Sequence, residues 1–97
     1  MKKMHIISKK AIREAIVEHP NCESALKGWE RVVDKTVFTC FDDLKKTFNS
    51  IDVVGDKFVF DIGGNKLRLI ASIHFNRKKI YIRHILSHKE YDKNKWR

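Results

Sequence analysis

The chain has 97 residues, of which 21 are Lys or Arg and 12 are Asp or Glu, for a formal net charge of +9. That length supports one modest hydrophobic core, expected as a single domain over residues 1–97, and excludes a second; the 42% hydrophobic fraction excludes disorder as the default. Residues 1–54 hold ten basic and eight acidic side chains, a net +2, whereas residues 55–97 hold eleven and four, a net +7, so the second half is the expected working face toward a polyanion.

The start of the chain, Met1 to Ile7, has two lysines but only two consecutive aliphatic residues before Ser8, which is not a signal peptide. No stretch approaches the ~18 apolar residues of a membrane span, so a cytoplasmic location is expected and no membrane partner. Cys22 and Cys40 have neither Cys-x-x-Cys spacing nor an export signal, and free thiols are expected.

His5 to Ile7 is a short β-prone run suited to an edge strand. Ser8 is a good N-cap for a helix over 9–19, with Ala11, Ile12, Ala15 and Ile16 on one face and Pro20 as its stop. A second helix follows Asn21 and runs to about Thr36, its apolar stripe being Ala25, Leu26, Trp29, Val32 and Val33. Thr39 is positioned to cap a short third helix with Phe41, Leu44 and Phe48 inward.

After Ser50 the period changes to two. Phe58, Phe60 and Ile62 alternate with Lys57, Val59 and Asp61, and Gly63-Gly64-Asn65 makes a turn. Leu67, Leu69, Ala71, Ile73 and Phe75 then alternate with Arg68, Ile70, Ser72 and His74. Beyond a second turn at Asn76-Arg77-Lys78, Ile80, Ile82 and Leu86 alternate with Lys79, Tyr81, Arg83 and Ile85. These patterns predict a three-stranded antiparallel meander backed by the helices, an α+β fold.

With the helices on the Phe60 and Leu69 face, parity leaves Lys57, Asp61, Lys66, Arg68, Ser72, His74, Tyr81 and Arg83 on the other. One acid there does not balance the cations, which suits an anionic ligand better than a merely solvated face. Arg68 and Arg83, on neighbouring strands, are expected to grip one phosphate together, since the guanidinium fork matches its oxygens. Lys57, Lys66, Arg77, Lys79 and Lys89 are the expected further RNA contacts. His88 and Tyr91, in a segment taken as an extended rim after the last strand, are candidate acid–base groups. His84 carries the parity of the apolar face and is expected at the core edge. His84 and His88 would be about 13 Å apart on an extended chain, so no metal site and no cofactor is expected.

The segments Gly63-Gly64-Asn65-Lys66-Leu67-Arg68, Tyr81-Ile82-Arg83 and His88-x-x-Tyr91-Asp92, in this order, resemble the HigB family of toxins, relatives of RelE. The resemblance is strongest from Lys57 to Asp92. It implies a RelE-like fold, helices on one face of a small twisted antiparallel sheet. It also implies an endoribonuclease acting on messenger RNA in the ribosomal A site. Its implied partners are the ribosome and a HigA-like helix-turn-helix antitoxin, with operator DNA reached only through that antitoxin. In such enzymes the Arg at the position of Arg68 lies on the scissile phosphate, and the segment of His88 and Tyr91 supplies the base and the acid, in either order. The competing expectation is a non-catalytic RNA- or ribosome-binding module that uses Tyr81, Phe75 and Tyr91 as stacking platforms.

Overall fold

The computed structural model describes residues 4–64, 66–93 and 96. Asn65, expected in the first hairpin turn, and Met1 to Lys3 lie outside the described residues. In chain order the elements are β1 (His5–Ile7), α1 (Lys9–Glu18), a 3-10 turn (Pro20–Cys22), α2 (Glu23–Lys35), α3 (Phe41–Thr47), β2 (Asp52–Val54), β3 (Lys57–Ile62), β4 (Leu67–His74), β5 (Lys79–Ser87) and α4 (His88–Asp92).

Pro20 cannot continue a helix, and α1 closes just before it with the His19 N–H donating to the Ala15 carbonyl at 2.8 Å. Ser8 is at the N-cap position, but in the left-handed region at φ 77° and with no side-chain capping bond. In α2 the spacing of Leu26, Trp29 and Val33 places all three on the buried side, and Glu23 holds Lys27 one turn on at 2.7 Å. Thr39 does not cap α3. The cap is Cys40, and Thr39 instead donates its N–H and hydroxyl to Asp43.

The sheet is mixed and five-stranded, in the order β1-β5-β4-β3-β2. The expected three-strand meander is therefore its centre. β2 extends it antiparallel to β3, and β1 lies along β5 in parallel. The run Asp52-Val53-Val54 is too short to show an alternation of its own, which is why the pattern did not reveal it. Gly63 and Gly64, both at positive φ, make the β3–β4 turn in a conformation that side chains resist.

One face of the sheet packs under α1, α2 and α3 around Ile12, Leu26, Trp29, Val33, Phe38, Leu44, Phe60, Leu69 and Ile80. Each such fully buried side chain contributes roughly 1.5–3 kcal/mol. Trp29 and Phe48 meet Phe60 edge-on, with centroids 5.4 and 5.1 Å away.

The register between β4 and β5 slips once. Ile70 faces His84 and Ala71 faces Ile82, so Arg83 is an extra residue on β5. Past that bulge the parity reverses. Ile85 packs on the main core, whereas Leu86 joins Val59, Ile70 and Trp96 in a small second cluster on the opposite face. Three parity expectations fail for this single reason: Leu86 is not on the helix-covered face, Ile85 is not outward, and His84 is not at the core edge but opposite Ile70. The second face is thus only partly open, with Tyr91 and Trp96 lying over its middle.

The segment after β5 is not extended. Ser87 starts α4 with a reciprocal capping box: its hydroxyl accepts from the Glu90 N–H, and its own N–H donates to the Glu90 carboxylate at 3.0 Å. No helix among the described residues is long and apolar enough to cross a membrane.

Candidate active site

Arg68, the second residue of β4, projects onto the partly open face. The hairpin register puts Asp61 directly across on β3. Nη1 of Arg68 lies 2.8 Å from Asp61 Oδ1, yet its N–H does not aim at the carboxylate, so the contact is an ion pair rather than a hydrogen bond. Only 13% of the Arg68 side chain is exposed. A guanidinium held this way is pre-oriented, and its N–H groups are not all used.

α4 brings two more groups to the same arginine. Nη2 of Arg68 is 3.5 Å from His88 Nδ1, and the Arg68 Cζ lies 5.5 Å from the centre of the Tyr91 ring. Since arginine only donates, His88 Nδ1 must accept, which leaves the proton of a neutral imidazole on Nε2. That nitrogen faces Asp92 Oδ2 at 3.3 Å, one helical turn on. The order Asp92, His88, Arg68 is thus a polar chain with defined directions. Tyr91 is fixed from behind by Trp96, whose ring stacks on it at 5.1 Å and 16° and whose Nε1 donates to the Tyr91 carbonyl. The capping box that starts α4 holds the Glu90 carboxyl below the ordinary carboxylate range, chiefly through the Ser87 N–H.

A family model described as HigB_toxin, the RelE-like toxic component of a toxin-antitoxin system, matches residues 22–94. The chain belongs to the HigB toxin family. Among its relatives, the mRNA interferase HigB of Escherichia coli O6:H1 (strain CFT073) is 39% identical over 93 residues, covering 93% of this chain and 90% of the relative. The mRNA interferase toxin HigB of Escherichia coli K12 is 36% identical over 92 residues, with 92% and 88% covered, and that of Shigella flexneri matches equally. The α+β architecture agrees with the RelE-like fold of the HigB family, save that β1 makes the sheet mixed.

Of the residues singled out from the sequence, the structure brings Arg68, His88 and Tyr91 together. Arg83 is not among them, and its own contacts are with other groups. It sits at the bulge, donates from Nε to the Ser72 hydroxyl at 3.2 Å and stands over the Tyr81 ring at 5.3 Å. By the register Arg83 lies beside Ile70 and Ala71, two to three residues along the sheet from Arg68, roughly 7–10 Å at the rise of a strand, with its guanidinium turned the other way toward Ser72. Lys57 pairs with Asp56 near the Arg83 end, and Arg77 and Lys79 lie at the β4–β5 turn, also at that end. Lys66 precedes Arg68, and Lys89 is exposed on α4.

Five contributors to the site carry no assigned role in the sequence reading. Asp61 follows from the hairpin register, and Ser87-x-x-Glu90 carries the capping-box signature. Asp92 was noticed only as part of a motif. Trp96 had one available signal, the two apolar residues Val59 and Ile70 at open-face positions, which require a cover.

Proposed function

We propose that this HigB-family toxin is an endoribonuclease that cleaves messenger RNA in the A site of a translating ribosome, using the RNA's own 2′-hydroxyl as nucleophile. The observation that supports this best is the convergence of Asp61, His88 and Tyr91 on Arg68. Family membership and the naming of the relatives as mRNA interferases support the substrate.

In this scheme Arg68 donates to the phosphoryl oxygens of the scissile phosphate as their charge grows. His88, with its proton on Nε2, takes the 2′-hydroxyl proton at Nδ1, and Asp92 stabilises the imidazolium that forms. The 2′-oxygen bonds to phosphorus, and the bond to the 5′-oxygen breaks. The Tyr91 hydroxyl gives its proton to that departing oxygen. The products are a 2′,3′-cyclic phosphate and a 5′-hydroxyl, and DNA is inert for want of the 2′-hydroxyl. No metal takes part. The toxin acts in the cytosol and is neutralised by a HigA-like helix-turn-helix antitoxin, through which alone it reaches operator DNA.

The test is to add the protein to a translation reaction, map messenger 5′ ends by primer extension, and analyse the end groups. New 5′-hydroxyl ends at defined codon positions, insensitive to chelator, are expected. Chelator-sensitive cleavage would contradict the metal-free scheme, and intact messenger would favour a non-catalytic RNA- or ribosome-binding module.

A further inference from the structure

The far end of the open face holds a second constellation that the chemistry above does not use. Arg83 is exposed, and its guanidinium is steered by two contacts, the Ser72 hydroxyl on Nε and the Tyr81 ring beneath. Tyr81 is in turn braced by His74, whose ring meets it edge-on at 5.3 Å and 84°. Arg83 is the extra residue of the bulge and lies two residues beyond Tyr81, whose register partner is Ser72. Among the described residues no carboxylate lies within ion-pair distance of Arg83, in contrast to Arg68, although Asp56, paired to Lys57, is near enough to feel its charge. A guanidinium held over a tyrosine with its outer side free offers a flat cation on which a nucleobase stacks.

We propose that Arg83, backed by Tyr81 and His74, is a subsite for a nucleotide flanking the cleaved bond, stacking that nucleotide's base rather than taking part in the chemistry. This rests on the endoribonuclease reading. Arg83 stands at the Ile70/Ala71 register of the sheet and its guanidinium is turned to Ser72 and Tyr81, on the side away from Arg68, so the two arginines hold different, neighbouring nucleotides. Ile70 and Trp96 form the apolar divide between them. The base, not only its phosphate, is the expected ligand, because the planar cation lies on an aromatic stack instead of pointing free into solvent.

The test measures kcat and KM for cleavage on ribosomes programmed with a model messenger. The messenger is intact or carries one abasic residue next to the cleaved dinucleotide, on its 5′ or its 3′ side. Arg83→Ala is expected to raise KM roughly tenfold, the loss of one stacked base, with kcat within about twofold. One of the two abasic messengers should show the same loss on the wild type and no further loss on the variant. Arg83→Lys, which keeps charge but not the plane, should recover only part of the affinity. The proposal is overturned if kcat falls with KM unchanged, if the abasic and Arg83→Ala effects simply add, or if Arg83→Lys equals the wild type. It is also overturned if Arg83→Ala leaves both constants alone and weakens only neutralisation by antitoxin, which would give the patch to a protein partner. Failure of the wild type to cleave any messenger would instead sink the endoribonuclease reading itself.

Discussion

The two arginines of the open face have the same chemistry and opposite surroundings. Arg68 is mostly buried, faced by a carboxylate across the strand pair and met by His88 and Tyr91 from α4. Arg83 is exposed, has a hydroxyl and a phenol ring for neighbours, and is offset by a bulge. A cation surrounded by proton-transfer groups is equipped to stabilise a changing charge. A cation laid on an aromatic surface is equipped to hold something that does not change. Position on one basic face does not give two arginines one role, and the distinction comes from what each side chain touches.

The contrast is sharpest at α4. Replacing either acid–base group, as in His88→Ala or Tyr91→Phe, should lower the cleavage rate about 10²- to 10⁴-fold, with messenger affinity nearly intact. Rapid-quench kinetics on programmed ribosomes would check this. A variant that loses only affinity would make the Arg68 end a grip like the Arg83 end.

The divide between the two ends is next in size. Ile70 is fully buried beneath Trp96, so Ile70→Ala should cost about 2–5 kcal/mol of stability in urea unfolding. A loss well under 1 kcal/mol would mean that the C-terminal segment does not cover the sheet as described.

Much of this fold was legible because its signals are local. The stripe of Ala25, Leu26, Trp29, Val32 and Val33, the Pro20 stop and the alternation from Phe58 to Ile73 each specify one element, and the structure agrees with them except at Val32, which is exposed. The bulge is not local in that sense. One extra residue is invisible in the run Ile80-Tyr81-Ile82-Arg83-His84-Ile85-Leu86, since only pairing with β4 shows where the register slips. That single event misassigned His84, Ile85 and Leu86. Likewise, Arg68, His88 and Tyr91 were legible as residue types suited to RNA cleavage. Their convergence depends on α4, whose capping box was written in Ser87 and Glu90 but was overshadowed by the strand before it.

Asp61 offers a finer test of how the Arg68 end is built. Asp61→Asn keeps the shape and removes the counter-charge, and should slow cleavage roughly fivefold, the worth of a partly exposed ion pair. The same substitution should leave the KM effect of Arg83→Ala untouched, because the sites share no partner.

The smallest effect concerns pH. Glu90 has its native pKa lowered by the Ser87 N–H and hydroxyl, so its contribution is complete above the ordinary carboxylate range and is lost as the pH falls through the lowered native value. The Ser87 amide resonance should therefore hold its position through the ordinary carboxylate range and move only below it. A shift centred at or above the ordinary value would mean that the capping box does not hold α4, and with it His88 and Tyr91, in place.

The central claim is that the chemistry resides at Arg68, and the most direct measurement is the single-turnover cleavage rate of Arg68→Ala at saturating toxin on programmed ribosomes. The expected result is a rate about 10²- to 10³-fold below wild type, as for loss of one transition-state donor. A rate within about twofold of wild type would contradict it and move the reaction centre elsewhere on the sheet.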